Sequence, residues 1–412
     1  MSPDADVLII GGGLVGASLA CALGQAGVRV TIVEASPLRV DQQPGYDERS
    51  IALAQGSQRI FSGLGLWSSL QEQVCPIHTI HVSDRGHFGF TRLHREQEGV
   101  PALGYVATAR VLGKVLLERL AELDTVRVLA PAQLAGFRVG DDTVEAELVI
   151  DDRTVSCSAN LLVAADGAQS SIRTQLGIET TQRDYRQTAV IANVTPDRPH
   201  ANIAYERFTD TGPMALLPMT DQRSALVWTV RPEQSDELMA LNDAEFLSRL
   251  QARFGYRLGR FLKVGRRNAY PLFLLRARES VRPRMALIGN AIHTLHPVAG
   301  QGFNLGLRDV AALAEVVIDA QRNGRDIGGS TVLDRYADWR QADQRRVAFF
   351  TDSMVRLFSL SFPPVTWARD AGMLALDICP PAKRWFGRLT MGRSGHLPRL
   401  ARGLNLPDSG KP

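Results

Sequence analysis

Ile9-Ile10-Gly11-Gly12-Gly13-Leu14-Val15-Gly16 is an apolar run broken by glycines, and its surroundings decide how the chain folds. Residues 6–10 read as a short buried strand, Gly11–Gly16 as a turn, Leu14–Ala26 as an Ala/Leu-rich helix and Val28–Val33 as a second strand. That order is a βαβ unit. Gly11, Gly13 and Gly16 fit the pattern G-x-G-x-x-G. Glycine permits the tight turn and lets backbone N–H groups approach a diphosphate at a helix N-terminus, where the macrodipole favours negative charge. Glu34 ends the second strand, 18 residues past Gly16, and its carboxylate can accept the hydroxyls of an adenosine ribose. A glycine turn needed only for packing would not require strand, helix and acid together. The loop alone does not choose between NAD and FAD.

Two further segments narrow the choice. Asp166-Gly167-Ala168-Gln169-Ser170-Ser171-Ile172-Arg173 has the form D-G-x-x-S-x-x-R, and the apolar Leu161–Ala165 delivers Asp166 to a strand end. Strand ends are where open α/β sheets meet their ligands. The competing reading is that Asp166 or Ser170 merely caps a helix beginning near Ser170. The third segment runs from Gly289-Asn290 through Pro297 to Gly300-Gln301-Gly302-Phe303-Asn304. Asn290 can hydrogen-bond a ribityl hydroxyl. Gly300 and Gly302 let backbone amides near Phe303 and Asn304 press against a ring system at the start of a helix, where anionic charge is stabilised. His293 and His296 are three apart, but no acidic or Cys cluster joins them, so no metal site is expected.

Bulk composition excludes several classes. With 412 residues, 45% hydrophobic and 22% charged, the chain reads as a soluble α/β protein of two interleaved domains and a terminal extension. A net charge of +4 is too small to imply nucleic acid. Cys21, Cys75, Cys157 and Cys379 form no C-x-x-C pair, which argues against a flavin disulfide reductase and for reduced thiols in a cytoplasmic protein. The apolar Val7–Ala22 is preceded by Asp4 and Asp6 and interrupted by Gly, unlike a signal peptide. No run of about 20 apolar residues suggests a membrane span. Residues 379–412 carry seven Lys/Arg against one acid, Asp408, and such a tail can lie on anionic lipid.

Along the chain, short β-type runs at Thr188–Val194, Ile203–Phe208, Met214–Leu217 and Ala225–Val230 predict an antiparallel sheet unlike the βαβ start. The expected architecture is a Rossmann-type domain of residues 1–75, 100–182 and 270–335, interleaved with a β-rich domain of 76–99 and 183–269. A helical, basic region of 336–412 follows.

The ordered motifs resemble the single-component flavoprotein monooxygenases of the aromatic-hydroxylase group, whose fold is similar to that of p-hydroxybenzoate hydroxylase. Asp47-Glu48-Arg49-Ser50-Ile51-Ala52-Leu53, His81-Val82-Ser83-Asp84-Arg85-Gly86-His87, Gly212–Pro218 and Gly300–Asp309 look closest to the ubiquinone-biosynthesis hydroxylases. The HVSDRGH segment is the sharpest pointer, toward members acting on 2-polyprenyl-6-methoxyphenol. The resemblance extends to about residue 395.

It implies bound FAD, with NAD(P)H and O2 as co-substrates and a C4a-hydroperoxide as the hydroxylating species. Gly11, Gly13 and Gly16 would hold the diphosphate and Glu34 the adenosine ribose. Arg49 would lie near the flavin and its phosphates, Arg110 would make a polar FAD contact, and Asp166 would serve the phosphate or ribityl region. The family's usual Gly-Asp is Gly289-Asn290 here, which keeps an acceptor and removes one negative charge. Leu216, Leu217 and Pro218, with Pro297 across the ring, are the candidate walls for the phenol. No residue stands out as a base. The resemblance also implies a membrane-resident polyprenylated substrate, a peripheral place on the inner membrane through the basic C-terminus, and assembly with other enzymes of the pathway. Other ring-position hydroxylases share these motifs, and isoprenoid reductases share the first loop; oxygen consumption with ring hydroxylation separates the reductases.

Overall fold

The computed structural model describes residues 3–39, 48–360 and 362–406. The βαβ start forms as the sequence predicts. Strand Ala5–Ile10 lies parallel to Val30–Val33, with the helix Leu14–Gly24 between them in sequence. Gly11 takes a positive φ of 107°, and a side chain there would strike the Ala165 carbonyl at 2.4 Å. Gly16 is tighter still: a Cβ would sit 2.0 Å from the Gly11 oxygen. These two glycines let the helix press onto the strand.

Arg153–Ala164 adds on the other side of Ala5–Ile10, and Met285–Leu287 adds beyond it, both parallel. With Val126–Leu129 at one edge, the short Val281–Arg282 antiparallel to Met285–Leu287 at the other, and Gln133–Val139 and Val144–Ile150 as further antiparallel additions, this makes an eight-stranded sheet. The helices Leu14–Gly24, Ala109–Ala121 and Gln301–Arg322 cover one face in a single apolar core. The strand ends at Ile10, Ala164 and Leu287 bring the Gly11 loop, Asp166 and Gly289-Asn290 to one edge. Sequence order is thereby converted into spatial convergence.

The second sheet has nine strands, running from His293–Thr294 through Asn268–Ala277, Thr180–Pro196, Ser224–Val230, Gly212–Pro218 and Ile203–Thr209 to Thr79–Asp84 and Phe90–His94, with Phe261–Val264 also on Thr180–Pro196. It is antiparallel except where Ile203–Thr209 meets Thr79–Asp84. The expected return to the first domain at residue 270 is corrected here. Asn268–Ala277 pairs with Thr180–Pro196 from Ala277↔Thr180 to Asn268↔Ile191, so it belongs to the second sheet. Its apolar run announces a strand but not a partner. Helices Pro232–Ala240 and Asp243–Phe254 also escaped the sequence reading, although Asn242 and Glu245 form a capping box that marks the second.

The helices Ser330–Ser359, Pro363–Ile378 and Pro380–Thr390 are not a loose extension. Tyr336 packs in the first core, while Met373 and Met391 pack against the second sheet. No helix among the described residues is long and apolar enough to cross a membrane.

Candidate active site

Three cavities meet at Ser50. The first is bounded by Gly13, Arg49, Ala165, Gly167, Asn290, Gly302 and Phe303, so all three motifs contribute to one space. A Cβ added at Gly13, Gly167 or Gly302 would meet nothing within 4 Å, and all three glycines line this cradle. The backbone N–H groups of Gln301, Gly302 and Phe303 open the Gln301–Arg322 helix and have no intrahelical acceptor. That is the position predicted for stabilising an anionic ring.

Asp166 carries the other sign of an absent partner. Its Oδ2 accepts from Ser171 Oγ at 3.3 Å and from the Ile172 N–H at 3.4 Å, while buried Oδ1 has no hydrogen-bond partner. Ser170, in contrast, caps the helix Ser171–Gln175 through the Arg173 N–H. Arg173 donates to Ala168 and Ala291 carbonyls, each at 2.8 Å, and so ties the second motif to the third. The capping alternative therefore holds for Ser170, and Asp166 keeps an oxygen free for a ligand.

Glu34 accepts from the Gly12 N–H at 2.7 Å with one oxygen and from the Ser36 N–H at 3.0 Å with the other, bracing the loop. Arg49 lies over the Tyr270 ring of the second sheet, 5.6 Å from its centroid. Arg110 donates to Glu48 at 2.6 Å and lines a neighbouring groove instead of the first cavity. Among the described residues, that groove also holds Arg49, Arg223, Lys263 and Arg266 and one acid, Glu48. Asp47 lies outside the described residues.

The remaining cavity is apolar and encloses about 1130 Å³, counting its open mouth. Its walls include Ile80, Val82, Leu217, Val227 and Pro297–Gly300, with Phe350, Met354 and Phe386 from the C-terminal helices. Of the four candidate walls, Leu217 and Pro297 line this cavity. Leu216 does not: strand alternation turns it to the other face, where it packs with Leu226, Trp228 and Phe246. Pro218 shares that parity and does not line the cavity.

Asn304 lines this cavity as a clip. Its Oδ1 accepts from the Ala54 N–H at 2.7 Å and Ser57 Oγ at 2.6 Å, and its Nδ2 donates to the Ala52 and Gly300 carbonyls. Gly300, with φ 60°, closes against the Ala52 Cβ.

Asp309 closes the last motif. It is fully buried and accepts from His293, from Arg340 at 2.8 Å, from Gln344 and from the Gly289 N–H. It thus pins the turn that presents Asn290. Burial pushes its carboxyl up, but His293 and Arg340 together override this and hold it below the usual range. His296 contacts Gln187 at 3.2 Å, and burial lowers its imidazole to about 4, so a neutral ring anchors the Val298 N–H. In HVSDRGH, Asp84 is ion-paired with Arg369 on the Pro363–Ile378 helix. Asp84, His87 and Asp370 each place a possible ligand atom within 4.8 Å of the others, a grouping the sequence did not reveal.

A family profile for an FAD-binding domain matches residues 4–351. Ubiquinone hydroxylase UbiL of Rhodospirillum rubrum is 42% identical over 98% of this chain and 94% of its own length. The 3-demethoxyubiquinol 3-hydroxylase of Escherichia coli is 32% identical over 94% of this chain and 98% of its length. The chain belongs to this FAD-binding family, which includes the ubiquinone hydroxylases. The fold agrees: p-nitrophenol 4-monooxygenase PnpA from Pseudomonas putida superposes with a TM-score of 0.79 at 21% identity, covering 96% of this chain and all of that one. The resemblance read from the motifs is borne out at the level of family, fold and cofactor.

Proposed function

We propose that this chain is an FAD-dependent monooxygenase of ubiquinone biosynthesis that hydroxylates the ring of 2-polyprenyl-6-methoxyphenol, using NAD(P)H and O2. The observation that carries the reading is the apolar cavity adjoining the cradle at Ser50, bounded on the cradle side by Pro297–Gly300 and on the other by Leu217. A phenol there would lie against the loop that begins the Gln301–Arg322 helix, and its prenyl tail would leave between Phe350, Met354 and Phe386. Each buried CH2 of such a tail contributes about 0.8 kcal/mol, which favours a greasy substrate over a small polar phenol.

FAD, when bound, supplies the electron transfer and oxygen activation. The residues of the chain bind, orient and shield. Backbone N–H groups at Gly13 and at Gln301–Phe303 would donate to the cofactor's anionic groups, Asp166 Oδ1 and Asn290 would take its hydroxyls, and Glu34 braces the loop at the ribose end. Apolar walls keep water from the reacting oxygen. Arg110, Arg223, Lys263 and Arg266 suit the phosphates of a transient NAD(P)H in the groove next to Arg49.

The tail's exit lies among helices that also display Trp367, Ile378 and Trp385, exposed by 72%, 80% and 64%. With Arg384 and Arg388 beside them, these side chains support a peripheral membrane position. Mass spectrometry of quinone intermediates in cells lacking the protein tests the reaction. Accumulated 2-polyprenyl-6-methoxyphenol is expected; a different accumulated precursor reassigns the ring position.

A further inference from the structure

Among the described residues that line the apolar cavity, one carries a carboxyl group. Glu206 projects into the cavity from the strand Ile203–Thr209, between Ala204 and Phe208 on the same face. Its neighbours in register are Val82 on one side and Ala215 on the other. Tyr205 points to the opposite face, where its ring meets His81 and Phe254 edge-on. No Lys or Arg among the described residues pairs with Glu206; the polar group that favours its charged form is the Ala299 backbone N–H. Ala299 adopts a left-handed φ of 55° in the loop between the two cavities. The carboxyl therefore stands at the wall facing the cofactor cradle, surrounded by aliphatic groups.

Structural packing does not account for it. A lone carboxyl in an apolar pocket costs several kcal/mol of desolvation if ionised and gains little if neutral. Burial pushes Glu206 up to about 8, the Ala299 hydrogen bond opposing this only in part. Such a group is poised to gain or lose a proton near neutrality. Among the described residues that line the cavity the other titratable group is Tyr205, whose hydroxyl burial holds above its ordinary value, away from the Glu206 range; Val82, Ala215, Pro297, Phe350 and Met354 do not titrate.

We propose that Glu206 is the general base that takes the proton of the substrate's phenol hydroxyl. This rests on reading the cavity as a phenol site. The phenol O–H bond breaks and a carboxyl O–H bond forms, leaving the electron pair on the oxygen to enrich the ring. The ring carbon then attacks the electrophilic oxygen that derives from O2 on the flavin side. As that carbon loses its hydrogen as a proton to the oxygen-donor fragment, the ring regains aromaticity and Glu206 returns its proton to the phenol oxygen. The carboxylate ends as it began.

The test uses FAD-loaded, full-length protein with 2-methoxy-6-prenylphenol carrying a short prenyl chain, in wild type, Glu206→Gln and Glu206→Asp. Wild-type kcat/KM is expected to rise with pH and level off above the Glu206 value of about 8. E206Q should lower kcat about 10²- to 10⁴-fold with KM little changed and lose that limb. E206D should recover part of kcat with the limb displaced. Infrared difference spectra add a readout independent of turnover. A protonated-carboxyl band should be present at neutral pH, fade on alkalinisation, shift when the phenol is added, and be missing in E206Q. Normal kcat and an unchanged limb in E206Q, or a carboxyl band indifferent to the phenol, overturns the role of Glu206 alone. A wild-type enzyme that neither binds nor hydroxylates the phenol overturns the phenol site and the base together.

Discussion

Single residues within one motif do different work, and the glycines show it most clearly. Gly16 admits no side chain, because a Cβ would lie 2.0 Å from the Gly11 oxygen, whereas Gly13 faces empty space. Gly16→Val should destabilise the fold, by about 1–3 kcal/mol if the overpacking can relax, seen as a lower thermal midpoint with or without FAD. Gly13→Val should leave the apoprotein's midpoint unchanged and abolish the flavin absorbance of the purified protein. Equal loss of stability in both variants would contradict this division. The pattern G-x-G-x-x-G was legible in the sequence; which glycine served packing and which the ligand was not, since both are simply Gly. The same limit explains Leu216 and Leu217. Four apolar residues from Met214 to Leu217 give no alternation, so only the paired strands reveal which faces the cavity. Glu206 escaped the sequence reading: it interrupts an apolar parity, Ala204-x-Glu206-x-Phe208, which acquires meaning only once that face of the strand is seen to line a cavity.

At the level of elements, the Gln301–Arg322 helix does more than offer its first turn. Asp309, two turns in, holds Gly289 from the facing loop while compensating the buried guanidinium of Arg340. Asp309→Ala should cost about 3–5 kcal/mol because Arg340 stays buried with less compensation. FAD affinity should fall as well, since the Asn290 turn loses its anchor. A thermal shift with FAD affinity unchanged would separate the two roles. Asp343 pairs with both Arg308 and Arg340, and although burial opposes it, those partners lower its carboxyl to about 2. The folded state there binds fewer protons than the unfolded chain, so the stabilisation is complete above the ordinary carboxylate range near pH 4 and is lost as pH falls toward about 2. The stability gap between wild type and Asp343→Asn should accordingly be widest above about pH 4 and narrow on acidification, as thermal unfolding at each pH would record. The helix itself was legible from its apolar period. Its buried ion network was not, because Arg340 and Asp343 look like solvent-facing charges until the next helix is docked.

For the whole molecule, the C-terminal helices change what a membrane experiment should remove. Truncation at residue 380 looks natural from the basic composition, yet it would delete Met391, Leu400 and Ala401 from the packed interior. Replacing Trp367, Ile378 and Trp385 with serine leaves those contacts in place. That triple variant should sediment less with anionic vesicles while its unfolding midpoint stays within about 1 kcal/mol of wild type, and undiminished sedimentation would remove the case for this surface. The two-domain plan was legible because βαβ and antiparallel periodicities differ. The roof that Phe350 and Phe386 place over the cavity was not, since it joins segments far apart in the chain.

Asn304 has a further consequence. By gripping Ala52, Ala54 and Ser57 from the same turn that frames the cradle, it gives the cofactor and the phenol a shared partition. Occupying one chamber sets where that partition rests for the other, so the two ligands should be thermodynamically linked. Reciprocity then demands that the factor by which a phenol tightens FAD equal the factor by which FAD tightens the phenol. Cutting the clip with Asn304→Ala should bring both factors toward unity together.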